Sequence, residues 1–220
     1  MGNGLHQLEV LAFDHDGPRP DGRLFALAPE RSHLRYAGQE AMDVSRFFAP
    51  ETLVLTGKSA TKEAFKRSAG AYQFLHLATH GYLNKYAPLL SGLELEPGGE
   101  DDGLLEVHEI LGLKLHANLV TLSACETALG SGYFSGTPAG DDFVGFTRAF
   151  LTAGSQAVLA SLWEVNDRST LQFMVDFYRY LPESDKVDAL AAAQRAMRAK
   201  GGRYSQPYFW APFVLVGVMN

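Results

Sequence analysis

The sequence contains a single cysteine, Cys125, among 220 residues. An intramolecular disulfide is therefore excluded, and a reducing compartment is the natural expectation. No run of about 18 apolar residues occurs, so no membrane-spanning helix is expected. The opening residues, MGNGLHQLEV, lack a basic segment followed by an apolar one. No secretory leader is expected from them, and the default location is the cytoplasm. No Lys/Arg-rich run stands out, and the net charge is −6. Nucleic-acid binding driven by phosphate neutralisation is thus disfavoured. A Gly-x-Ser-x-Gly elbow is missing, so a serine hydrolase is not supported. Gly57-Lys58-Ser59 is like the end of a phosphate-binding loop, but Thr52 stands where its first glycine belongs. Lys58 therefore reads as a turn residue. No zinc motif surrounds His108 or His116, and neither a metal nor a cofactor is expected.

What is present suits a globular enzyme or binding domain. Hydrophobic residues make up 46% and charged residues 20% of the chain, enough for a sizeable core. Strand-like and helix-like segments alternate with no linker and no internal repeat. Residues 1–220 are thus expected to form one three-layer αβα sandwich with a mostly parallel central sheet. Strands are expected at Leu8–Phe13, Thr52–Leu55, Tyr72–Ala78, Gly92–Leu95, Asn118–Leu122, Gln156–Trp163 and Tyr208–Val218. Apolar residues at Leu34, Ala37, Ala41, Val44 and Phe48 recur at helical spacing, which predicts a helix over Arg31–Phe48. Ser59 or Thr61 is positioned to cap a short helix through Arg67. Further helices are expected near Val107–Leu111, Asp142–Thr152, Ser169–Leu181 and Lys186–Lys200.

The two most apolar strands end alike. Phe74-Leu75-His76-Leu77-Ala78-Thr79 runs into His80-Gly81, and Leu119-Val120-Thr121-Leu122-Ser123-Ala124 runs into Cys125-Glu126. Ligands of open parallel sheets gather outside the carboxyl ends of strands, at switch points in the strand order. His80 and Cys125 are therefore the candidate catalytic pair. A thiolate is a strong nucleophile, and a nearby imidazole lowers the thiol pKa or moves protons. Backbone amides at Gly81 and Cys125 are candidates for stabilising the oxyanion of a tetrahedral intermediate. The competing reading of each residue alone is structural: a small buried cysteine, and a histidine within the fold. His76 alternates onto the side of His80, but no third ligand has suitable spacing. It reads as a hydrogen-bonded core histidine rather than half of a metal pair.

His-Leu-Ala-Thr-His-Gly at 76–81 and Leu-Ser-Ala-Cys-Glu-Thr-Ala at 122–128 resemble the two signatures of CHAT domains. These are caspase-like domains often found beside tetratricopeptide repeats. Their wider clan includes caspases, separases and gingipains. Further blocks resemble the family in order, among them Pro88–Leu93, Phe146–Leu151, Ala160–Trp163 and Pro207–Ala211. The resemblance implies a caspase-like fold and hydrolysis of peptide bonds in a protein or peptide substrate. It implies Cys125 as nucleophile and His80 as general acid/base, with no third catalytic residue required. It also implies a helical-repeat neighbour as a regulatory partner, with the enzyme inactive until its loops are ordered. The Gly-rich stretch Gly130–Gly140 is longer than the family pattern, so substrate preference does not transfer in detail. The alternative from another class is a catalytically silent module of the same fold that binds peptides or partners.

Asp142, Asp167 and Trp163 are the candidate substrate-binding residues. An acid in a mostly apolar pocket would select Lys or Arg before the scissile bond. Helix capping is the competing role for both aspartates. Trp163 reads either as a pocket wall beside a peptide added along Ser161–Trp163 or as core packing.

Overall fold

A computed structural model describes residues 22–48, 50, 52–84, 86–123, 141–163 and 165–218, with backbone alone at 141–144. Its central sheet has six strands: β1 (Leu24–Ala28), β2 (Thr52–Thr56), β3 (Phe74–Leu77), β7 (Leu119–Leu122), β8 (Ala157–Ser161) and β9 (Phe213–Gly217). Their order is β2-β1-β3-β7-β8-β9. All neighbours pair in parallel except β8 and β9, which are antiparallel. A second sheet, wholly antiparallel, contains β4 (Gly81–Tyr82), β5 (Gly92–Glu94) and β6 (Leu104–Glu106).

Helices cover both faces of the large sheet. On one face lie α1 (Ala37–Ser45), α5 (Asp167–Tyr180) and α6 (Lys186–Ala199). On the other lie α2 (Lys62–Ser68), α3 (Val107–Leu111) and α4 (Asp141–Thr152). The handedness of parallel crossovers explains this division. The chain moves one way across the sheet from β1 to β2, with α1 on one face. It then reverses to β3, β7 and β8, which sends α2, α3 and α4 to the opposite face. Strands β1, β3, β7 and β8 are buried along their whole length, which fits their unbroken apolar runs. The fold is the expected α/β sandwich.

Several elements differ from the sequence expectation. The expected helix from Arg31 begins only at Ala37. Residues before it turn after β1: the Ser32 hydroxyl donates to the Pro29 carbonyl, and His33 takes a left-handed φ of 53°. The last strand begins at Phe213 rather than Tyr208, because Pro207–Phe209 form a 3-10 turn and Pro212 precedes the strand. Strand β1 was not anticipated, since a five-residue apolar run has no period that identifies it. Leu8–Phe13 lies outside the described residues. Of the two possible caps for α2, Thr61 is used, its hydroxyl accepting from the Ala64 N–H at 3.1 Å.

The small sheet is tied to the body by a buried cation. Lys62 Nζ lies 2.9 Å from Glu109, 3.2 Å from Asp102 and 3.3 Å from Asp101. Those acids belong to α3 and to the turn between β5 and β6. Burial alone would lower the Lys62 pKa, but bonds to the three carboxylates outweigh it and hold the ammonium above its ordinary range. Burial would likewise raise Glu109. Bonds from Lys62, the Glu106 N–H and Lys66 instead hold it below the usual carboxylate range. At Gly103 the backbone has φ 84°, and a Cβ would strike the Leu95 carbonyl oxygen. Glycine there lets the turn fold back on β5.

Replacing Lys62 with Met should lower unfolding stability by roughly 2–3 kcal/mol. That is below the ~3–5 kcal/mol for a fully buried pair, because Asp102 is largely exposed. The Glu109 contribution is present above the ordinary Glu pKa and disappears as pH falls through the depressed value of the folded state. The gap between wild type and variant in urea unfolding should therefore shrink below about pH 4.

Candidate active site

The sheet order reverses between β1 and β3, so the crevice of a doubly wound sheet opens beyond the carboxyl ends of these strands. His80 stands there, the third residue after β3. The chain around it is fixed on both sides. The Ala78 N–H donates to the Leu27 carbonyl at 2.9 Å, extending the β1–β3 ladder. The Thr79 hydroxyl donates to the Glu94 carbonyl, and the Glu94 N–H donates to the His80 carbonyl at 2.8 Å. His80 is thereby held where the large sheet passes into the small one.

That last bond has a consequence for Gly81. It makes residues 80 and 94 a hydrogen-bonded antiparallel pair, so Gly81 opposite Leu93 is a non-bonded pair. Its N–H points away from β5. The His80 Nδ1 is buried and has no hydrogen-bond partner among the described residues. A buried polar atom without a partner costs about 1–3 kcal/mol, so such atoms are rare.

Cys125 and the Gly130–Gly140 stretch lie outside the described residues. The last described residue before them is Ser123, whose N–H donates to the Leu77 carbonyl at 2.9 Å. Strands β3 and β7 are therefore neighbours up to their ends, with His76 opposite Thr121 and Leu77 opposite Leu122. Cys125 is the third residue after β7, as His80 is after β3. In chain position the two are matched.

The substrate-binding candidates divide. Asp142 falls in the first turn of α4, and its side chain is outside the description. Asp167 opens α5, and its carboxylate accepts from the Tyr36 N–H at 2.8 Å, just before α1. Trp163 is half-buried, and its indole N–H donates to the Tyr208 carbonyl at 3.2 Å. On the same stretch the Leu162 N–H donates to the Pro212 carbonyl, so that amide is already used. The structure thus gives Asp167 and Trp163 internal partners.

His76 is a core histidine, as its setting in the sequence suggested. It is fully buried between Glu40 and Tyr178. Sequence reasoning missed Glu40, although a signal was present. It lies three residues after Ala37 and four before Val44, on the apolar face of the helix. No group of three or more metal-ligating side chains occurs among the described residues.

Residues 14–218 match the family described as CHAT domain. The chain belongs to the CHAT domain family. This CHAT domain is 29% identical over 214 residues to mouse (Mus musculus) Tetratricopeptide repeat protein 28, covering 82% of this chain and 8% of that protein. It is 32% identical over 114 residues to the human (Homo sapiens) protein of that name, covering 52% of this chain and 4% of the relative. The CHAT domain therefore spans less than a tenth of these relatives. Its fold is similar to separase in the Saccharomyces cerevisiae separase–securin complex, with a TM-score of 0.56 and 12% identity. That match covers 91% of this chain and 12% of the separase chain. It is also similar to the Arg-specific cysteine proteinase gingipain R, with a TM-score of 0.51 and 10% identity, over 89% of this chain and 46% of the other. At such identities the likeness concerns the fold: the CHAT domain has the caspase-like architecture seen in separase and gingipain R.

Replacing Asp167 with Ala should remove the acceptor for the Tyr36 N–H. The expected loss, read by urea unfolding, is about 1–2 kcal/mol.

Proposed function

We propose that this CHAT domain is a cysteine endopeptidase acting through His80 and Cys125. The observation that carries the reading is the level pairing of β3 and β7 beside the switch point, with each candidate the third residue after its strand. The buried Nδ1 of His80, without a partner among the described residues, and the Gly81 amide turned away from β5 support it.

In this reading the Cys125 thiolate attacks the carbonyl carbon of the scissile peptide bond. The oxyanion accepts from the Gly81 and Cys125 backbone amides. Collapse breaks the C–N bond, and His80 supplies the proton that the leaving amine takes up. Water then attacks the thioester, releasing the second product and restoring the thiol. No third catalytic side chain takes part. Asp142, Asp167 and Trp163 are the proposed contacts for substrate, with the two acids selecting Lys or Arg. The internal partners of Asp167 and Trp163 favour Asp142 among the three. A helical-repeat module is the proposed regulatory neighbour. Support comes from the relatives, named tetratricopeptide repeat proteins, of which this chain matches a small part. Among the described residues no helix is long and apolar enough to cross a membrane, and the cytoplasm is the proposed compartment.

Incubation with a peptide library, followed by mass spectrometry of the products, tests the assignment. Cys125→Ala and His80→Ala should each reduce cleavage roughly a thousandfold or more. Undiminished cleavage by Cys125→Ala would overturn it, and no cleavage by the wild type would favour the silent binding module. A cleavage profile without Lys or Arg preference would remove the acidic selection alone.

A further inference from the structure

Beneath the two strand ends lies a buried polar cluster to which the proposed reaction assigns no role. Glu40 on α1 is 1% exposed, Ser123 after β7 is 3% exposed, and His76 on β3 is fully buried. One carboxylate oxygen, Glu40 Oε1, accepts from His76 Nε2 at 2.9 Å and from the Ser123 hydroxyl. On its other side His76 Nδ1 is 3.3 Å from the Tyr178 hydroxyl, which is 2.7 Å from the Thr121 hydroxyl. These contacts can be satisfied as one chain: Thr121 donates to Tyr178, Tyr178 to His76 Nδ1, and His76 Nε2 to Glu40. Burial pushes the Tyr178 phenol well above its usual range. The Thr121 bond opposes that shift, and the Glu40 charge adds to it.

The location of this cluster is what gives it meaning. His76 lies four residues before His80, and Ser123 lies two before Cys125. We infer that Glu40 is a positioning residue: its single oxygen clamps the end of β7 to β3, and so sets the spacing from which His80 and Cys125 follow. This inference rests on the peptidase reading for its catalytic consequence. The clamp itself rests on the two bonds. A buried carboxylate is costly unless well supplied with donors, and an apolar residue would fill the site more simply. What the carboxylate adds is direction, because it accepts from two strands at one point. The arrangement also stands on the helix face of the sheet away from α2, α3 and α4, so the clamp acts from below without entering the crevice.

The test uses the full chain and two readouts: peptide cleavage, and the rate at which iodoacetamide alkylates Cys125, the single cysteine. Variants are Glu40→Ala, Glu40→Gln and Ser123→Ala. Asp176→Asn serves as a stability control, since it weakens a half-buried ion-pair group with Arg179 and Lys200 that is separate from the clamp. Glu40→Ala and Ser123→Ala should each lower kcat at least tenfold with KM within twofold of wild type. Glu40→Gln keeps an acceptor oxygen and should recover at least a third of the wild-type kcat. Both alanine variants should change the alkylation rate at least threefold, while Asp176→Asn alkylates at the wild-type rate. Alanine variants that match Asp176→Asn in kcat and alkylation would overturn the clamp. If the wild type cleaves nothing, the peptidase reading fails, and the alkylation rates alone decide for or against the clamp.

Discussion

The pairing of β3 with β7 is the contact on which the rest of the molecule turns. Each strand is four residues long and buried on both faces. Apolar packing alone would tolerate more than one register between strands this short. The polar residues remove that freedom. His76 and Thr121 are directly opposite, and both reach the Tyr178 hydroxyl. A slip of one residue in either strand would turn its polar side chain to the other face. There it would meet the apolar cluster that includes Phe65, Ile110, Phe146 and Phe150. Each stranded polar group would cost about 1–3 kcal/mol. Register, and with it the relative level of the ends of β3 and β7, is set by a few buried hydrogen bonds.

The same strand ends are held from above by different means. The small sheet begins at Gly81, and its middle strand grips the His80 carbonyl through the Glu94 N–H. That sheet has little core of its own and leans on the body through Lys62, whose ammonium joins α2 to α3 and to the turn after β5. The histidine side of the crevice is thus fixed by a charged network near the surface. The strand level is fixed by a hydrogen-bonded relay ending on a carboxylate in the interior. The two differ in their response to solvent. Partly exposed pairs weaken with salt and acid, whereas the buried bonds of Glu40 are little screened by salt.

Much of the fold could be read from the residues because its helices and strands carry period and punctuation. Helix α3 lies where Val107–Leu111 was expected, and α5 and α6 begin and end within two residues of their expected limits. Thr61 acts as a cap because its hydroxyl sits one residue before the first helical turn. The failures have equally local causes. Strand β1 has only apolar residues and no alternation. The start of α1 is delayed by a turn closed by Ser32 and by a left-handed His33, which the apolar spacing passes over. At the site, His80 was legible as the residue that follows an apolar strand, whereas Gly81 opening β4 was not. Glu40 was marked only as an acid on the apolar face of its helix, and its partners were not legible because they lie 36 and 83 residues away in the chain.

By itself, the sequence determined the fold class, the family and the pair of strand ends that carry a histidine and the single cysteine. These follow from local composition: unbroken apolar runs, glycine after the histidine, and blocks in a fixed order. Tertiary structure alone decided that the sheet reverses beside β3, that the Gly81 amide turns away from β5, and that Asp167 and Trp163 have partners inside the fold. It also decided that one buried carboxylate joins the two strands. Such facts depend on which segments meet, and that is governed by crossover handedness and by the cost of leaving buried polar atoms unpaired. Neither is written in the spacing of neighbouring residues.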